Sequence, residues 1–267
     1  MMRRRIALGI LSVLAVVAVF ALASGGREGD QPLHVAAAAD LHLAFTEIGR
    51  AFEAETGQKV VFIFGSTGLL TRQIEQGAPV DVFAAADVKF VDKLAEQRLL
   101  LAGSEHLYAY GRLALVMNSA GGAGREFAAK RAGVRELASL LNPGVRRVAI
   151  ANPDHAPYGL AARQALSRSG LWERLQPKLV YARDVRDALQ YVQTGNADAA
   201  FVAAPLLTGI RGPLRSWLVE GGLYDPPRQT MAVLRGTKQA GASRAFVDFV
   251  SGPQGRRILG KYGFRLP

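Results

Sequence analysis

The regular alternation of short apolar segments with amphipathic segments after Pro32 constrains the fold more than any other feature. Residues 33–39 have the length and composition of a buried strand, and residues 41–52 place apolar side chains at helical spacing. The same order of strand, polar turn and helix recurs at 59–77 and at 80–94. The pattern therefore predicts an α/β protein with mainly parallel sheets and flanking helices.

A second series of strands and helices begins after Arg112 and continues to the turn at Tyr224. The strand at 230–234 and two short helices, near 240–250 and 253–261, follow that turn. A middle block flanked by two outer segments predicts two lobes with a central cleft. We expect lobe 1 to be discontinuous, at 33–110 and 227–267, and lobe 2 to span 111–226.

Residues 1–23 have the three parts of a secretory signal: a basic start, an apolar middle and small residues before Ser24. The apolar stretch of 18 residues is also long enough to cross a bilayer, so an uncleaved anchor is the alternative. Residues 24–32 are predicted to form a flexible tether. In both cases we expect the protein to work in the periplasm or on the extracellular face of the cytoplasmic membrane.

Composition and motifs exclude several functional classes. The chain has no cysteine, which rules out disulfides, thiolate metal sites and catalytic thiols. Its formal charge of +11 is spread thinly and forms no basic stripe, so we expect no nucleic-acid partner. Nucleotide-binding glycine motifs, a nucleophile elbow and paired metal-binding histidines are all absent from the sequence. We therefore expect neither an enzyme nor a bound cofactor.

Four predicted strands end in small or polar residues at the start of a helix. The first turn of a helix leaves backbone N–H groups without partners, and these groups can bind an anion without a charged side chain. Each residue could instead serve only as a helix cap. The four starts are Ala39-Asp40, Ser66-Thr67-Gly68, Pro157-Tyr158-Gly159 and Arg183-Asp184-Val185.

At these positions the chain resembles the periplasmic molybdate-binding proteins of ABC importers, from about residue 33 to the C-terminus. The resemblance implies a two-lobed type II periplasmic-binding-protein fold that encloses an oxyanion between its lobes. The motifs that carry it are VAAAADL (35–41), FGSTGLLTRQIEQGAPVDVFAAAD (64–87), ANPDHAPYGLAARQAL (151–166), PKLVYARDVRDAL (177–189) and SGPQGRRILGKYGF (251–264).

The resemblance also implies a ligand set of hydroxyls and backbone N–H groups. Two positions depart from the family pattern: Asp40 stands where serine is usual, and Ala203 stands where tyrosine is usual. An ionised Asp40 facing the ligand would oppose a dianion, whereas a capping Asp40 would face away from it. The ligand set falls at Asp40, Ser66, Thr67, Tyr158, Val185 and Ala203.

The function that the resemblance implies is that of a monomeric extracytoplasmic receptor. It would bind a tetrahedral oxyanion of the molybdate or tungstate class, with no other metal, and deliver it to a membrane permease with a cytoplasmic ATPase. Two alternatives stay open. The same architecture could bind a protonated oxyanion or a small organic acid, or it could report to a sensor instead of a transporter.

Overall fold

Eleven strands and nine α-helices make up the parts of the chain that the structure, a computed structural model, describes: residues 31–119 and 131–267. The strands are β1 (Leu33–Ala38), β2 (Val60–Gly65), β3 (Val82–Ala85), β4 (His106–Tyr110), β5 (Leu113–Asn118), β6 (Arg131–Ala132), β7 (Val148–Ala151), β8 (Leu179–Ala182), β9 (Ala199–Ala203), β10 (Leu214–Val219) and β11 (Arg228–Val233). The helices are α1 (His42–Thr56), α2 (Thr67–Glu75), α3 (Val88–Glu96), α4 (Val134–Ala138), α5 (Pro157–Arg168), α6 (Trp172–Leu175), α7 (Val185–Gln193), α8 (Ala240–Ser251) and α9 (Pro253–Lys261).

The strands form two sheets, and each sheet is the centre of one lobe. In lobe 1 the strand order is β2-β1-β3-β11-β4, and in lobe 2 it is β6-β10-β5-β9-β7-β8. The chain passes between the sheets twice, from β4 to β5 and from β10 to β11. The two crossings run side by side, since the N–H of Gly111 donates to the carbonyl of Pro227 at 2.8 Å.

Both sheets are mixed, which differs from the mainly parallel sheets that the sequence predicts. In lobe 1, β1 is parallel to β2 and β3, but β11 runs antiparallel to β3 and β4. In lobe 2, β5 is antiparallel to both of its neighbours, β9 and β10. The antiparallel strands β5 and β11 are the ones that enter a sheet directly from a crossing. They have no preceding crossover helix in that sheet, which a parallel neighbour would require.

Local sequence signals explain the helix bounds near the cleft. Helix α1 ends at Gly57, whose left-handed φ of 75° lets its N–H reach the carbonyl of Glu53. The buried face of α1 packs Phe52 edge-on against Phe246 of α8, with ring centroids 5.3 Å apart. This packing holds α1 against α8 within lobe 1.

The predicted signal peptide (1–23) and most of the predicted tether lie outside the described residues. Among the described residues, no helix is both long and apolar enough to cross a bilayer.

Candidate functional site

Five of the six predicted ligand residues line one small cavity between the lobes. Lobe 1 contributes Asp40, Ser66 and Thr67, and lobe 2 contributes Tyr158 and Val185. The cavity is tight, about 10 Å³, which is room for about one water molecule, so the lobes must separate slightly to admit an oxyanion. The fold therefore brings together predicted positions that are up to 145 residues apart in the sequence.

Ala203 is not among the residues that line this cavity. It is the last residue of β9, where it is fully buried and pairs with Leu113 of β5. A role for Ala203 in ligand binding stays a prediction from the resemblance.

The start of helix α2 offers a backbone N–H and a hydroxyl to the cavity. The N–H of Gly68, the second residue of the helix, already donates to the carbonyl of His155 at 2.8 Å. The N–H of Thr67, the first residue, has no acceptor within its own helix. The Thr67 hydroxyl accepts a hydrogen bond from the N–H of Ala86 at 3.2 Å, which leaves its own proton available for donation. Thr67 is therefore equipped to donate twice to an anion.

The cap at the start of helix α7 leaves one backbone N–H group available to a ligand. The Asp184 carboxylate accepts from the N–H of Arg186 at 2.8 Å and from that of Asp187 at 3.1 Å. These bonds satisfy the second and third N–H groups of the helix. The N–H of Val185, the first residue, is the one that the cap does not use, and Val185 lines the cavity.

The start of helix α5 lies close to strand β7 because Gly159 has no side chain. A Cβ atom at position 159 would lie 2.1 Å from the carbonyl oxygen of Ala151, a distance that backbone atoms cannot tolerate. Pro157 is the first residue of the helix and has no N–H to satisfy. The N–H of Tyr158, the second residue, has no acceptor within the helix and is the first donor of this turn.

A direct contact between the lobes closes one side of the cavity. The Ser66 hydroxyl of lobe 1 donates to the carbonyl of His155 in lobe 2 at 2.7 Å, and it lies 2.7 Å from Nδ1 of the same histidine. Since the hydroxyl has a single proton, Nδ1 serves as the donor in the second bond. Ser66 thus uses its proton to hold the lobes together, while Thr67 keeps its proton for a ligand.

The carboxyl group of Asp40 is buried and turned onto neutral side chains. Asp40 is 1% exposed, and no side-chain cap bond forms at the start of α1, so it is not an N-cap there. Its Oδ2 accepts from Nε2 of Gln229 at 2.5 Å, and the Tyr158 hydroxyl donates to it as well. Burial raises the pKa of Asp40 from its ordinary value near 3.8 to about 6, although both hydrogen bonds act in the opposite direction.

Gln229 connects Asp40 to both lobes, and sequence reasoning missed it. This residue of β11 is fully buried, accepts from the Tyr108 hydroxyl at 2.9 Å and donates to the Tyr158 hydroxyl at 3.1 Å. Burial also raises the pKa values of Tyr108 and Tyr158 well above 10, so both remain donors. The one available signal was a glutamine beside the apolar run of 231–234, because a polar residue in a buried strand needs a partner.

A wide cleft opens beside the cavity and separates the outer parts of the two lobes. His42 and Leu69 line it from lobe 1, and Arg183 and Arg186 line it from lobe 2. Arg183, two residues before α7, is paired with Asp187 of that helix at 2.6 Å. Burial lowers the pKa of His42, and the positive charge of Arg186 acts in the same direction. Asp184 and Asp187 also line the cleft, so the two arginine charges are balanced there and the cleft carries no net positive edge.

Comparisons with known proteins agree with this geometry. The sequence model of the bacterial extracellular solute-binding protein family matches residues 33–265. The chain is 34% identical over 253 residues to the molybdate-binding protein ModA of Rhodobacter capsulatus, covering 95% of this chain and 94% of the relative. It is 37% identical over 241 residues to ModA of Azotobacter vinelandii, covering 88% and 90%.

A solved structure shows the same fold. The Azotobacter vinelandii periplasmic molybdate-binding protein superimposes with a TM-score of 0.79 at 31% identity, covering 88% of this chain and 99% of that chain. The fold is thus the two-lobed one that the sequence motifs predicted. The chain belongs to the family of bacterial extracellular solute-binding proteins and, within it, groups with the molybdate-binding proteins.

Proposed function

We propose that this protein is the substrate receptor of an ABC importer and binds an oxyanion of the molybdate or tungstate class in the cavity between its lobes. The relatives named as molybdate-binding proteins favour this ligand over a small organic acid. The protein would act outside the cytoplasmic membrane as a monomer and would pass the oxyanion to a membrane permease with its cytoplasmic ATPase. The proposal gives the chain a binding role and no catalytic one.

One observation carries this proposal: three helix starts each leave an unused N–H at the same cavity. The N–H groups belong to Thr67, Tyr158 and Val185, and the Thr67 hydroxyl adds a fourth donor. Each helix start also carries partial positive charge. Such a site holds an anion with fixed dipoles, so no cation has to be removed when the ligand leaves for the permease.

Asp40 is compatible with this site because neutral side chains donate hydrogen bonds to its carboxyl group. Gln229 and Tyr158 both donate to the carboxyl group, and its raised pKa makes the neutral form accessible near neutral pH. The departure from the family's serine therefore changes the pH dependence of binding and does not block the cavity.

Calorimetric titration of the purified protein with molybdate, tungstate and sulfate tests the proposed ligand class. We expect saturable heat and a higher melting temperature with molybdate and tungstate, and weaker binding of sulfate. An absence of heat and of any melting shift with molybdate and tungstate would refute the assignment.

Replacing Thr67 with valine should weaken molybdate binding by about 10- to 100-fold, because the isosteric side chain removes one donor from a buried anion site. The variant Thr67→Ser should bind like the wild type, since it keeps the hydroxyl. Thr46→Val is a matched control: its hydroxyl bonds to the carbonyl of His42, away from the cavity. Equal affinity of the Thr67→Val variant and the wild type would remove Thr67 from the ligand set.

A further inference from the structure

A second pocket lies beside the two crossings between the lobes, and none of its lining residues lines the cleft or the cavity described above. We call it the hinge pocket. Gly111 and Arg112 of the first crossing and Pro226 of the second contribute to it. Its volume is about 250 Å³. Its remaining lining residues are Arg131, Leu218, Val219, Gly221, Tyr224 and Arg265.

Three arginines from distant parts of the chain converge on this pocket. Arg112 follows β4, Arg131 begins β6 of lobe 2, and Arg265 lies near the C-terminus in lobe 1. Their charges act together on the hydroxyl of Tyr224: burial raises the pKa of Tyr224, and all three guanidinium groups act against that rise. The three arginines therefore line one pocket and lie close enough to its tyrosine to act on it.

No carboxylate among the described residues pairs directly with these arginines. None of the three arginines has a carboxylate oxygen within 4.0 Å in the parts of the chain that the structure describes. Asp225, which is adjacent to the pocket in sequence, is paired with Arg168 at 2.8 Å. The lining residues include no acidic side chain. Three like charges without a directly paired carboxylate repel each other, so an anion bound in the pocket would be favoured.

Neutral groups hold two of the guanidinium groups in place. Arg112 donates from Nε and Nη2 to the carbonyl oxygen of Gly263, at 2.9 and 2.6 Å. The guanidinium carbon of Arg265 lies 4.8 Å from the ring centroid of Tyr110. These contacts leave the positive charges uncompensated while reducing the entropy that the side chains would lose on binding a ligand.

We propose that the hinge pocket is a second anion site, which binds a phosphate-type oxyanion, free or carried by a lipid headgroup, through Arg112, Arg131 and Arg265. Guanidinium groups match the geometry of phosphate oxygens and bind them in pairs. The anion would connect Arg131 of lobe 2 to Arg265 of lobe 1 across the crossings. This site is independent of the oxyanion cavity, so it does not depend on the proposed transport function.

Calorimetric titration with inorganic phosphate tests the site on the full chain. We expect one phosphate per protein, with a dissociation constant of about 1 mM or below at low salt. The double variant Arg131→Ala/Arg265→Ala should lose at least tenfold in phosphate affinity. The control variant Arg174→Ala/Arg244→Ala removes the same charge from two exposed helix positions and should bind phosphate like the wild type.

Two further arms locate the anion and its source. Thr67→Val should leave phosphate affinity unchanged, because Thr67 lies in the other cavity. Sedimentation of the protein with phosphatidylglycerol vesicles, compared with phosphatidylcholine vesicles, shows whether the bound phosphate can belong to a lipid headgroup. If the protein binds free phosphate but neither kind of vesicle, the ligand is a soluble anion. The proposal is overturned if neither free phosphate nor the anionic vesicles bind, or if their binding survives in the Arg131→Ala/Arg265→Ala variant.

Discussion

Asp40→Asn should bind molybdate between 10- and about 100-fold more tightly than the wild type at pH 8.5, and equally tightly at pH 5.5. Asparagine has the shape of aspartate and keeps a carbonyl oxygen that can accept from Gln229 Nε2. The substitution therefore removes a negative charge and little else. Unit charges about 5 Å apart repel each other by about 3 kcal/mol at an effective dielectric constant near 20.

The sign of the pH dependence follows from the raised pKa of Asp40. Below about pH 6 the carboxyl group is largely protonated, so the wild type and the variant present the same neutral cavity. Above that pH the wild type is ionised, and a dianion that binds must raise the pKa of Asp40 further. Binding then takes up a proton, and affinity falls as the pH rises. The asparagine variant has no such proton to take up, so its affinity should stay level.

Calorimetry in buffers of different ionisation enthalpy measures this proton directly. At pH 7.5 we expect the wild type to take up a substantial fraction of one proton per molybdate and the Asp40→Asn variant to take up none. Asp198→Asn, whose carboxylate caps backbone N–H groups of Arg146 and Arg147 outside the cavity, should behave like the wild type. Tight binding by the wild type without pH dependence would show that the carboxyl group does not sense the ligand.

The same variant should also unfold less readily at high pH. Because the pKa of Asp40 is higher in the folded protein than in the unfolded chain, its contribution to stability is present below about pH 4 and is lost as the pH rises through about 6. A shift of about 2 units corresponds to about 3 kcal/mol. Urea unfolding should thus show Asp40→Asn more stable than the wild type by up to about 3 kcal/mol at pH 8, and by little at pH 4. An equal difference at both pH values would mean that packing, and not ionisation, distinguishes the two side chains.

Gly68→Ala should weaken molybdate binding by at least about 100-fold, or about 2.7 kcal/mol, without destabilising the fold. A Cβ atom at position 68 would lie 2.8 Å from the carbonyl oxygen and 2.9 Å from Cβ of His155. These atoms belong to the opposite lobe, so the clash is relieved when the lobes separate. An open protein cannot bring Tyr158 and Val185 to a ligand held at Thr67.

Calorimetry and urea unfolding of the same variant distinguish an effect on lobe closure from an effect on the stability of the fold. Alanine is a better helix former than glycine, so the free energy of unfolding should stay level or rise slightly. Gly241→Ala is the matched control, because Gly241 is also the second residue of a helix and has open space around it. Normal affinity in Gly68→Ala would show that contact between Gly68 and His155 is not needed for binding. A large loss of stability would show that the clash is absorbed within lobe 1.

The sequence predicted the helix starts and most of the cavity because their signals are local. Apolar periodicity located α1, α5 and α7, and the motif around Thr67 placed a hydroxyl at the first residue of α2. The resemblance then joined positions that periodicity alone cannot connect. Strand direction was harder to predict: β5 and β11 run antiparallel because they follow the crossings, and this depends on how the whole chain is arranged.

The partners of Asp40 and Ser66 could not be predicted because they lie far away in sequence. Gln229 is 189 residues from Asp40, and His155 is 89 residues from Ser66. The sequence left open whether Asp40 caps a helix or faces the ligand. In the structure Asp40 lines the cavity and accepts a hydrogen bond from Gln229 of β11, the strand that follows the second crossing. Likewise, a hydroxyl assigned to the ligand by analogy, that of Ser66, is engaged in contact between the lobes.

Diffraction at the molybdenum absorption edge, from crystals grown with molybdate, measures where the anion sits. We expect a single strong anomalous peak between the lobes, within hydrogen-bonding reach of Thr67 Oγ1 and of the backbone nitrogens of Thr67, Tyr158 and Val185. A peak at another place, or none in crystals of protein that binds molybdate in solution, would contradict the view that uncapped helix starts form the binding site.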